Sequence, residues 1–329
     1  MLPSIRKAAS GAAYPGTPSA RDHWILGRRG ERNSLDPLRP YAHFVEKERT
    51  ERGDVVDVAT LFLTNRECPW RCLMCDLWKN TTAETVPAGA IPAQIRGALA
   101  ASPSARRVKL YNSGSFFDRK AIPATDYEEI AGLLDGFERV IVESHPALVG
   151  EASRRLRDLL AGELEVALGL ETVCPQVLPR LNKRMTLEDF QLAADRLRAD
   201  EIAMRAFVLL GIPFVSAEES FFWCCRSIES GFEAGATAVA IIPTRLGNGA
   251  LDELQSRGEF SPPDLAALEG ASAFGIGLGR GRVFADLWDL AKFSRCESCF
   301  PARASRIRAQ NLWQIVEPRI ACVACGENA

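Results

Sequence analysis

The chain has 329 residues, of which 47% are hydrophobic and 25% are charged, and its formal net charge is −2. This composition is ordinary for a globular protein, and the near-neutral charge gives no global electrostatic reason to expect nucleic acid as a partner. No apolar run approaches the ~20 residues that a membrane helix needs, and the first residues lack the apolar block of a secretory signal. We therefore expect a cytoplasmic protein made of one large domain with appendages.

The first 52 residues are expected to lie outside the main domain. Residues 1–20 are rich in Ala, Ser, Gly and Pro and show no hydrophobic periodicity, which is typical of a disordered lead-in. Residues 21–52 combine many charged side chains with a few apolar anchors, among them Trp24 and Phe44. This mixture predicts a helical extension of one or two helices packed on the outside of a larger body.

From residue 55 onward, six short apolar runs alternate with longer helical stretches. The runs are Val55–Leu63, Val108–Tyr111, Val140–Val142, Leu164–Leu168, Ala206–Leu210 and Ala238–Ile242, and the helical stretches are 90–101, 125–135, 151–161, 186–199 and 217–234. Because parallel strands need a long crossover, this alternation predicts βαβ units in an α/β fold. Runs this apolar suit strands that are covered on both faces. The pattern alone fits either an open doubly wound sheet or a barrel.

Three cysteines follow the first predicted strand with the spacing C-x3-C-x2-C. In a cytoplasmic protein, clustered cysteines indicate metal ligation more often than disulfide bonds. Cys68, Cys72 and Cys75 can bind three irons of a [4Fe–4S] cube and leave the fourth iron open, whereas electron-carrier clusters use four thiolates. The alternatives are chance clustering or a zinc site, which usually needs four ligands or three including His, and no His lies near this loop. The spacing therefore favours a cluster with one open iron.

This cysteine motif, on a loop after the first strand, resembles the cluster motif of the radical S-adenosylmethionine (SAM) superfamily. The resemblance implies a partial (β/α)6 TIM-like barrel as the radical SAM core, and so it decides between barrel and open sheet. It also implies that Cys68, Cys72 and Cys75 are catalytic. In this family the reduced cluster splits SAM into a 5′-deoxyadenosyl radical that abstracts hydrogen from the substrate. A flavodoxin- or ferredoxin-type electron donor is implied as a partner.

Further matches to the superfamily follow at the ends of later predicted strands, where barrel enzymes place their sites. The segment 112–115 stands in place of the family's glycine-rich motif for the methionine amino group. Glu143 opens a turn that resembles the Glu-x-x-Pro of oxygen-independent coproporphyrinogen oxidases. Glu171 is implied to accept hydrogen bonds from the ribose, and Lys183 stands where these relatives carry an Arg for the SAM carboxylate. The implied SAM-binding set is Met74, Asn112, Ser113, Gly114, Ser115, Glu143, Glu171 and Lys183.

Three segments, Lys109–Asp118, Glu143–Pro146 and Arg205–Leu210, resemble the radical SAM component of archaeosine synthesis. That family acts on a modified base in tRNA, so the resemblance implies a tRNA-modifying enzyme. Within the same superfamily, the alternative is an enzyme of small-molecule or peptide biosynthesis. Outside it, the alternative is a non-catalytic iron–sulfur or zinc protein that binds RNA or another partner.

A second group of cysteines lies near the C-terminus. Cys296 and Cys299 form one C-x2-C pair, and Cys322 and Cys325 form another after a gap of 22 residues. Two such pairs are a strong signal for a metal site. Four thiolates suit either a structural zinc ion or an auxiliary [4Fe–4S] cluster, and the spacing leaves both open.

Basic residues and one aromatic residue lie between these two pairs. Arg303, Arg306, Arg308 and Trp313 suit contact with RNA phosphates and a stacked base, while the alternative is a solvated helix face with one core Trp.

The chain is accordingly divided into the extension at 1–52, the radical SAM core at 53–285 and a four-cysteine metal-binding module at 286–329.

Four more residues complete the sequence-based expectations. His145, next to Glu143, is expected either to cap a local turn or to reach the active site. The remaining cysteines are Cys174, Cys224 and Cys225, which have no ligand spacing and are expected to be buried as small hydrophobic residues.

Overall fold

Eight strands form one sheet in the computed structural model, which describes residues 13–326. The strands are β1 Ala42–Arg49, β2 Val55–Phe62, β3 Arg107–Tyr111, β4 Arg139–Ser144, β5 Glu163–Glu171, β6 Ala203–Leu210, β7 Ala238–Pro243 and β8 Arg282–Ala285. They lie in the order of the sequence, with β1 antiparallel to β2 and every other neighbouring pair parallel. The sheet curls into a partial TIM-like barrel whose two edges are β1 and β8.

Helices connect the strands. The α-helices are α1 Pro18–Leu26, α2 Ala90–Ala101, α3 Tyr127–Leu133, α4 Glu151–Leu159, α5 Leu187–Ala199, α6 Ala217–Glu233, α7 Ala250–Ser256, α8 Leu265–Gly277 and α9 Phe300–Trp313. Short 3-10 helices lie at Leu77–Asn80, Ala124–Asp126, Pro146–Leu148, Leu178–Leu181 and Leu290–Phe293. The six predicted strands are β2 to β7 and the five predicted helices are α2 to α6, so the α/β partial-barrel fold is confirmed. Within residues 13–326, no helix is long and apolar enough to cross a membrane.

The prediction for the N-terminal extension was wrong in two respects. Residues 1–12 lie outside the described residues, but residues 13–20 are ordered, because the ring of Tyr14 contacts those of Trp24 and Phe214 at centroid distances of 5.1 and 5.2 Å. The segment 21–52 contains the end of α1 and then a strand, β1, rather than a second helix. The charged side chains of this segment predicted helices on the outside of the domain, yet Glu48 on β1 is buried in ion pairs.

The two faces of the strands carry different side chains. On the outer face, apolar residues such as Leu61, Val108, Val142 and Leu168 are fully buried against the helices. Because side chains alternate along a strand, the intervening residues line the barrel interior. The part of the interior near the N-terminal ends of the strands carries charged side chains such as Arg205. The part near their C-terminal ends carries aromatic rings such as those of Tyr111 and Phe207.

Buried ion pairs fill the N-terminal end of the barrel. Arg205 on β6 contacts Glu48 on β1 and Glu165 on β5, each at 2.7 Å. Lys109 on β3 contacts Glu48 at 2.6 Å, and Arg139 on β4 contacts Glu165 at 3.0 Å. Burial alone would raise the pKa of Glu165, but Arg205 and the other cations outweigh it and lower this pKa to about 2. Arg282 on β8 joins the same pairs, at 3.4 Å from Glu165. The end of the barrel is therefore closed by paired charges contributed by six strands.

Replacing Arg205 by Met should strongly destabilise the fold, because Glu48 and Glu165 would each lose a partner while staying buried. Breaking a buried pair from one side typically costs about 3–5 kcal/mol, which urea unfolding measures. Arg106→Met is the matched control, since the Arg106–Glu138 pair is exposed and should leave the free energy of unfolding almost unchanged. Equal effects of the two substitutions would contradict a structural role for the buried pairs.

Candidate active site

The loops that follow β2, β3, β4 and β5 meet at the C-terminal end of the barrel. The loop after β2 carries Cys68, Cys72 and Cys75, and the loop after β3 packs directly on it. A Cβ atom at Gly114 would lie 3.0 Å from the Cβ of Cys68, so this close approach requires a glycine. The structure thus brings the predicted cysteine loop and the predicted SAM-binding loop into contact.

Backbone and amide contacts from distant segments hold the cysteine loop in place. The N–H of Leu73 donates to the carbonyl of Leu181 at 2.8 Å. Asn182 donates to the carbonyl of Arg71, and Asn248 donates to that of Leu73, both at 2.8 Å. These three bonds fix the loop conformation through its backbone, and the Cys68 thiol adds a hydrogen bond to the carbonyl of Trp70 at 3.7 Å.

The three sulfurs of this loop fit a multi-iron cluster better than a single ion. Cys68, Cys72 and Cys75 are half-buried, and among the described residues they are not one of the groups of ligands gathered closely enough to hold a single ion. Four thiolates around one tetrahedral ion with bonds of about 2.3 Å would be about 3.8 Å apart. Burial raises the pKa of all three thiols, that of Cys72 to about 12. These thiols therefore need bound metal to become thiolates.

Glu143 stabilises the loop after β3 by hydrogen bonds to its backbone. Its carboxylate accepts hydrogen bonds from the backbone N–H groups of Asn112 and Gly114, at 2.6 and 3.3 Å. Burial outweighs these donors and raises the pKa of Glu143 to about 7. Ser113 has a positive φ of 54° and its hydroxyl lies 3.0 Å from that of Tyr41. The structure thus places the predicted residue Glu143 against the loop backbone, where it shapes the loop.

Asn112 and Ser115 differ in how their polar groups are satisfied. Both side chains are fully buried. The Ser115 hydroxyl lies 2.9 Å from that of Ser144 and joins two loops. The amide oxygen and nitrogen of Asn112 have no hydrogen-bond partner in the part of the chain that the structure describes. Buried polar atoms are nearly always paired in folded proteins, so the Asn112 amide is a candidate ligand contact.

Glu171 and Lys183 form a buried ion pair at the end of β5. The Lys183 ammonium lies 2.5 Å from the Glu171 carboxylate, and both residues are more than 90% buried. A Cβ atom at Gly169 would lie 2.1 Å from both charged groups, so the pair needs a glycine beneath it. Although burial lowers the pKa of Lys183, Glu171 and then Cys72 raise it above its usual value. The two predicted SAM contacts are thus brought together beside the cysteine loop.

His145 links three segments of the site. Its ring stacks on that of Trp70, within the cysteine loop, at a centroid distance of 3.7 Å. Nδ1 accepts from the N–H of Ala147 at 3.1 Å, which leaves the proton on Nε2 to donate to the carbonyl of Lys183 at 3.0 Å. Burial and the Lys183 charge lower the pKa of His145 to about 4, so the ring is neutral near pH 7. His145 therefore caps the turn at Pro146–Leu148, as one of the two expectations stated.

Met74 packs its side chain against two apolar clusters, one around Leu73 and Trp24 and the other around Leu181 and Leu209. This packing anchors the middle of the cysteine loop. The resemblance to the superfamily implies that the backbone at Met74 meets the adenine of SAM, and that contact stays a prediction.

The four C-terminal cysteines converge, as predicted for one metal site. The sulfurs of Cys296, Cys299, Cys322 and Cys325 all lie within 4.8 Å of one another. We refer to these four residues as the C-terminal cysteine set. As expected, the other cysteines, Cys174, Cys224 and Cys225, are buried.

The basic surface predicted between these pairs was wrong for two of its three arginines. Arg303 and Arg306 are buried and contact Glu269 on α8 at 2.7 and 3.2 Å. Only Arg308 and Trp313 of the predicted group are exposed. Both arginines lie in the interior because the carboxylate of Glu269, which is 34 residues before Arg303 in the sequence, faces them.

Sequence reasoning missed several residues that support the site. Tyr41 and Asn248 each contact a predicted site segment, but neither has a recognisable spacing relative to it. Trp70 lies within the cysteine motif itself, and its stacking on His145 was not expected. Glu67, directly before Cys68, pairs with Arg29, Arg32 and Arg71. Its position next to the motif was the one available signal.

No family model matches the chain. An uncharacterized protein of Methanocaldococcus jannaschii is 22% identical over 251 residues, covering 71% of this chain and 69% of that protein. The archaeosine synthase subunit beta of Methanosarcina acetivorans is 26% identical over 217 residues, covering 62% of each chain.

Among solved structures, methylornithine synthase, a radical SAM enzyme, superposes with a TM-score of 0.50 and 12% identity, covering 67% of this chain and 63% of that one. This chain thus spans less than two thirds of both the archaeosine synthase subunit and methylornithine synthase. The likeness to methylornithine synthase shows that the fold is shared.

Two substitutions at His145 should lower the free energy of unfolding by different amounts. His145→Ala removes a stacking contact and a hydrogen bond, which together are worth about 1–3 kcal/mol. His145→Phe keeps an aromatic ring against Trp70 and loses the bond to the Lys183 carbonyl, so it should cost about half as much. Urea unfolding of both variants measures the difference, and iron content after reconstitution reports on the loop. Two variants as stable as the parent would show that His145 does not hold these segments together.

Proposed function

We propose that this chain, which has the fold of radical SAM enzymes, cleaves SAM at a [4Fe–4S] cluster held by Cys68, Cys72 and Cys75 and abstracts hydrogen from a substrate. The observation that carries the proposal is three half-buried cysteine thiols on one loop, beside a buried amide and a buried ion pair, at the C-terminal end of a partial barrel. Reduced by one electron, such a cluster would supply the reducing power that splits SAM into methionine and a 5′-deoxyadenosyl radical.

The residues around the loop suit the polar groups of SAM. The unpaired amide of Asn112 offers a donor and an acceptor to the methionine part. Lys183 carries the charge for the SAM carboxylate, and Glu171 the acceptor for the ribose hydroxyls. Because these two are now paired with each other, SAM would insert its own groups beside an existing ion pair. A flavodoxin- or ferredoxin-type donor would supply the electron.

Cys72→Ala should abolish both the broad absorbance near ~400 nm of a [4Fe–4S] protein and the formation of 5′-deoxyadenosine. Only three thiolates are proposed to hold the cluster, so no neighbour can replace the missing one. Cys225→Ala, at a buried cysteine outside both groups, is the control that should retain both properties. Full 5′-deoxyadenosine formation by Cys72→Ala would contradict the assignment of Cys72 as a cluster ligand.

We further propose a modified tRNA base as the substrate. The support is the similarity to archaeosine synthase subunit beta and the aromatic lining of the barrel. Phe62 contacts Tyr111 and the exposed Trp288, at ring distances of 6.0 and 6.1 Å, and Tyr111 contacts Phe207 at 6.2 Å. Aromatic rings of this kind provide stacking surfaces for a flat base. Trp288, at the rim, would meet the base first.

Bulk tRNA from cells grown in deuterated medium should transfer deuterium into 5′-deoxyadenosine. Stacking on one aromatic ring is worth about 1–3 kcal/mol, so Trp288→Ala should weaken the tRNA response at least about fivefold while leaving SAM binding unchanged. Deuterated small molecules and peptides serve as competing substrates. Transfer from those but not from tRNA would replace the substrate proposal while leaving SAM cleavage intact.

A further inference from the structure

The spacing of the C-terminal cysteine set matches a single tetrahedral ion. The sulfurs of Cys296 and Cys322 are 3.9 Å apart, as are those of Cys299 and Cys325. A disulfide would bring two sulfurs to about 2.05 Å. Four thiolates bound to one zinc ion at about 2.3 Å form a tetrahedron with edges of about 3.8 Å. The observed distances therefore fit zinc and exclude paired disulfides in this arrangement.

The same chain provides an internal comparison. In a [4Fe–4S] cube each thiolate binds a different iron, so its sulfurs stand farther apart than sulfurs around one ion. Among the described residues, the C-terminal set is a group of ligand side chains gathered closely enough for one ion, with all its sulfurs within 4.8 Å, and the front set of Cys68, Cys72 and Cys75 is not such a group. The two sets thus differ in the direction expected for a cluster and a single ion.

Helix α9 starts at this set and ends at the open edge of the sheet. Cys299 is the residue directly before α9. At the other end, the Asn311 amide accepts from the N–H of Ala285 at 2.9 Å and donates to its carbonyl at 2.8 Å. The Gln314 amide makes the same two bonds with Val283, at 2.7 and 2.8 Å. Side-chain amides thus occupy the backbone groups of β8 that a neighbouring strand would otherwise use.

Other contacts place α9 across the gap between the two sheet edges. Arg49 at the end of β1 donates to the carbonyl of Leu312 at 3.3 Å. Arg303 contacts Glu269 on α8 and hydrogen-bonds the Cys299 thiol. Hydrogen bonds of this kind, from residues just outside a metal site, orient the ligands that bind the metal. The helix therefore joins the cysteine set, α8, β1 and β8.

The extended strap from Gln314 to Cys322 makes few contacts with the rest of the described chain. Ile315 is 62% exposed and Val316 is 45% exposed, so the strap buries little apolar surface. Arg306 donates to the carbonyl of Glu317 at 2.7 Å, and this bond ties the strap to α9. A metal bound to both cysteine pairs would close the helix and its strap into one loop, which removes much of the freedom of this segment.

We propose that the C-terminal cysteine set binds one zinc ion and that this ion fixes α9 as the cover of the open β8 edge. The module is then part of the barrel wall, and the metal is structural. This inference does not rest on SAM cleavage, and its test uses readouts that do not involve that reaction.

Metal analysis of the full chain, reconstituted anaerobically with iron and sulfide, tests the identity of the ion. We expect one zinc per chain in the parent, and Cys325→Ser should lose it with iron unchanged. Cys325 is exposed, so this substitution removes no core packing. Cys225→Ser, at a cysteine outside both sets, should keep zinc and iron. Loss of about four irons from Cys325→Ser, or no zinc in the parent, would overturn the zinc assignment.

Amide hydrogen exchange at Val283 and Ala285 tests the covering role. Cys325→Ser should speed exchange at both amides about tenfold, the equivalent of ~1.4 kcal/mol. Asn311→Ala should speed exchange at Ala285 while zinc stays bound. If Cys325→Ser does not yield folded protein, removing zinc from the parent with a chelator, with the absorbance near ~400 nm monitoring the front cluster, provides the same comparison. Zinc loss without faster exchange at these amides would overturn the covering role.

Discussion

The buried ion pairs around Glu48 and Glu165 determine what the rest of this barrel can be. A partial barrel has an interior that its strands cannot seal by hydrogen bonding alone, and here charged side chains fill its N-terminal end. Cations and carboxylates from six strands must meet at fixed positions, and a shift of one residue on any strand would move its charge to the outer face. The ion pairs therefore specify the register, at the cost of desolvating every charge involved.

This arrangement leaves the opposite end of the interior for binding. Above the paired charges the lining changes to small residues such as Ala167 and to rings such as Tyr111 and Phe207. The site loops lie at the rim of this region. Because Glu143, Glu171 and Lys183 already have partners within the protein, the site is organised before any ligand binds, and a ligand would lose little free energy in ordering it.

The parts that could be predicted from the sequence are those whose determinants are local. The strands β2 to β7 are marked by apolar runs such as Leu164–Leu168, and the cysteine loop is marked by its spacing. The strand β1 was mistaken for helix because Glu48 is explained by Arg205, 157 residues away. Arg303 was assigned to the surface for the same reason, since Glu269 lies in another helix. Long-range pairing of charges has no signature in a single sequence.

The same limit applies to the two cysteine sets, and here the structure separates what the sequence could not. Spacing along the chain predicted metal for both sets but left zinc and a second cluster open for the C-terminal one. In the folded chain the two sets differ: the sulfurs of the C-terminal set all lie within 4.8 Å of one another, as ligands of one ion do, and the front set is not such a group among the described residues. The front set faces the barrel mouth, where an open iron could meet a ligand. The set with close spacing precedes the helix that covers the sheet edge, where four ligands around one ion leave no open position. Each geometry therefore agrees with the place that the fold gives it.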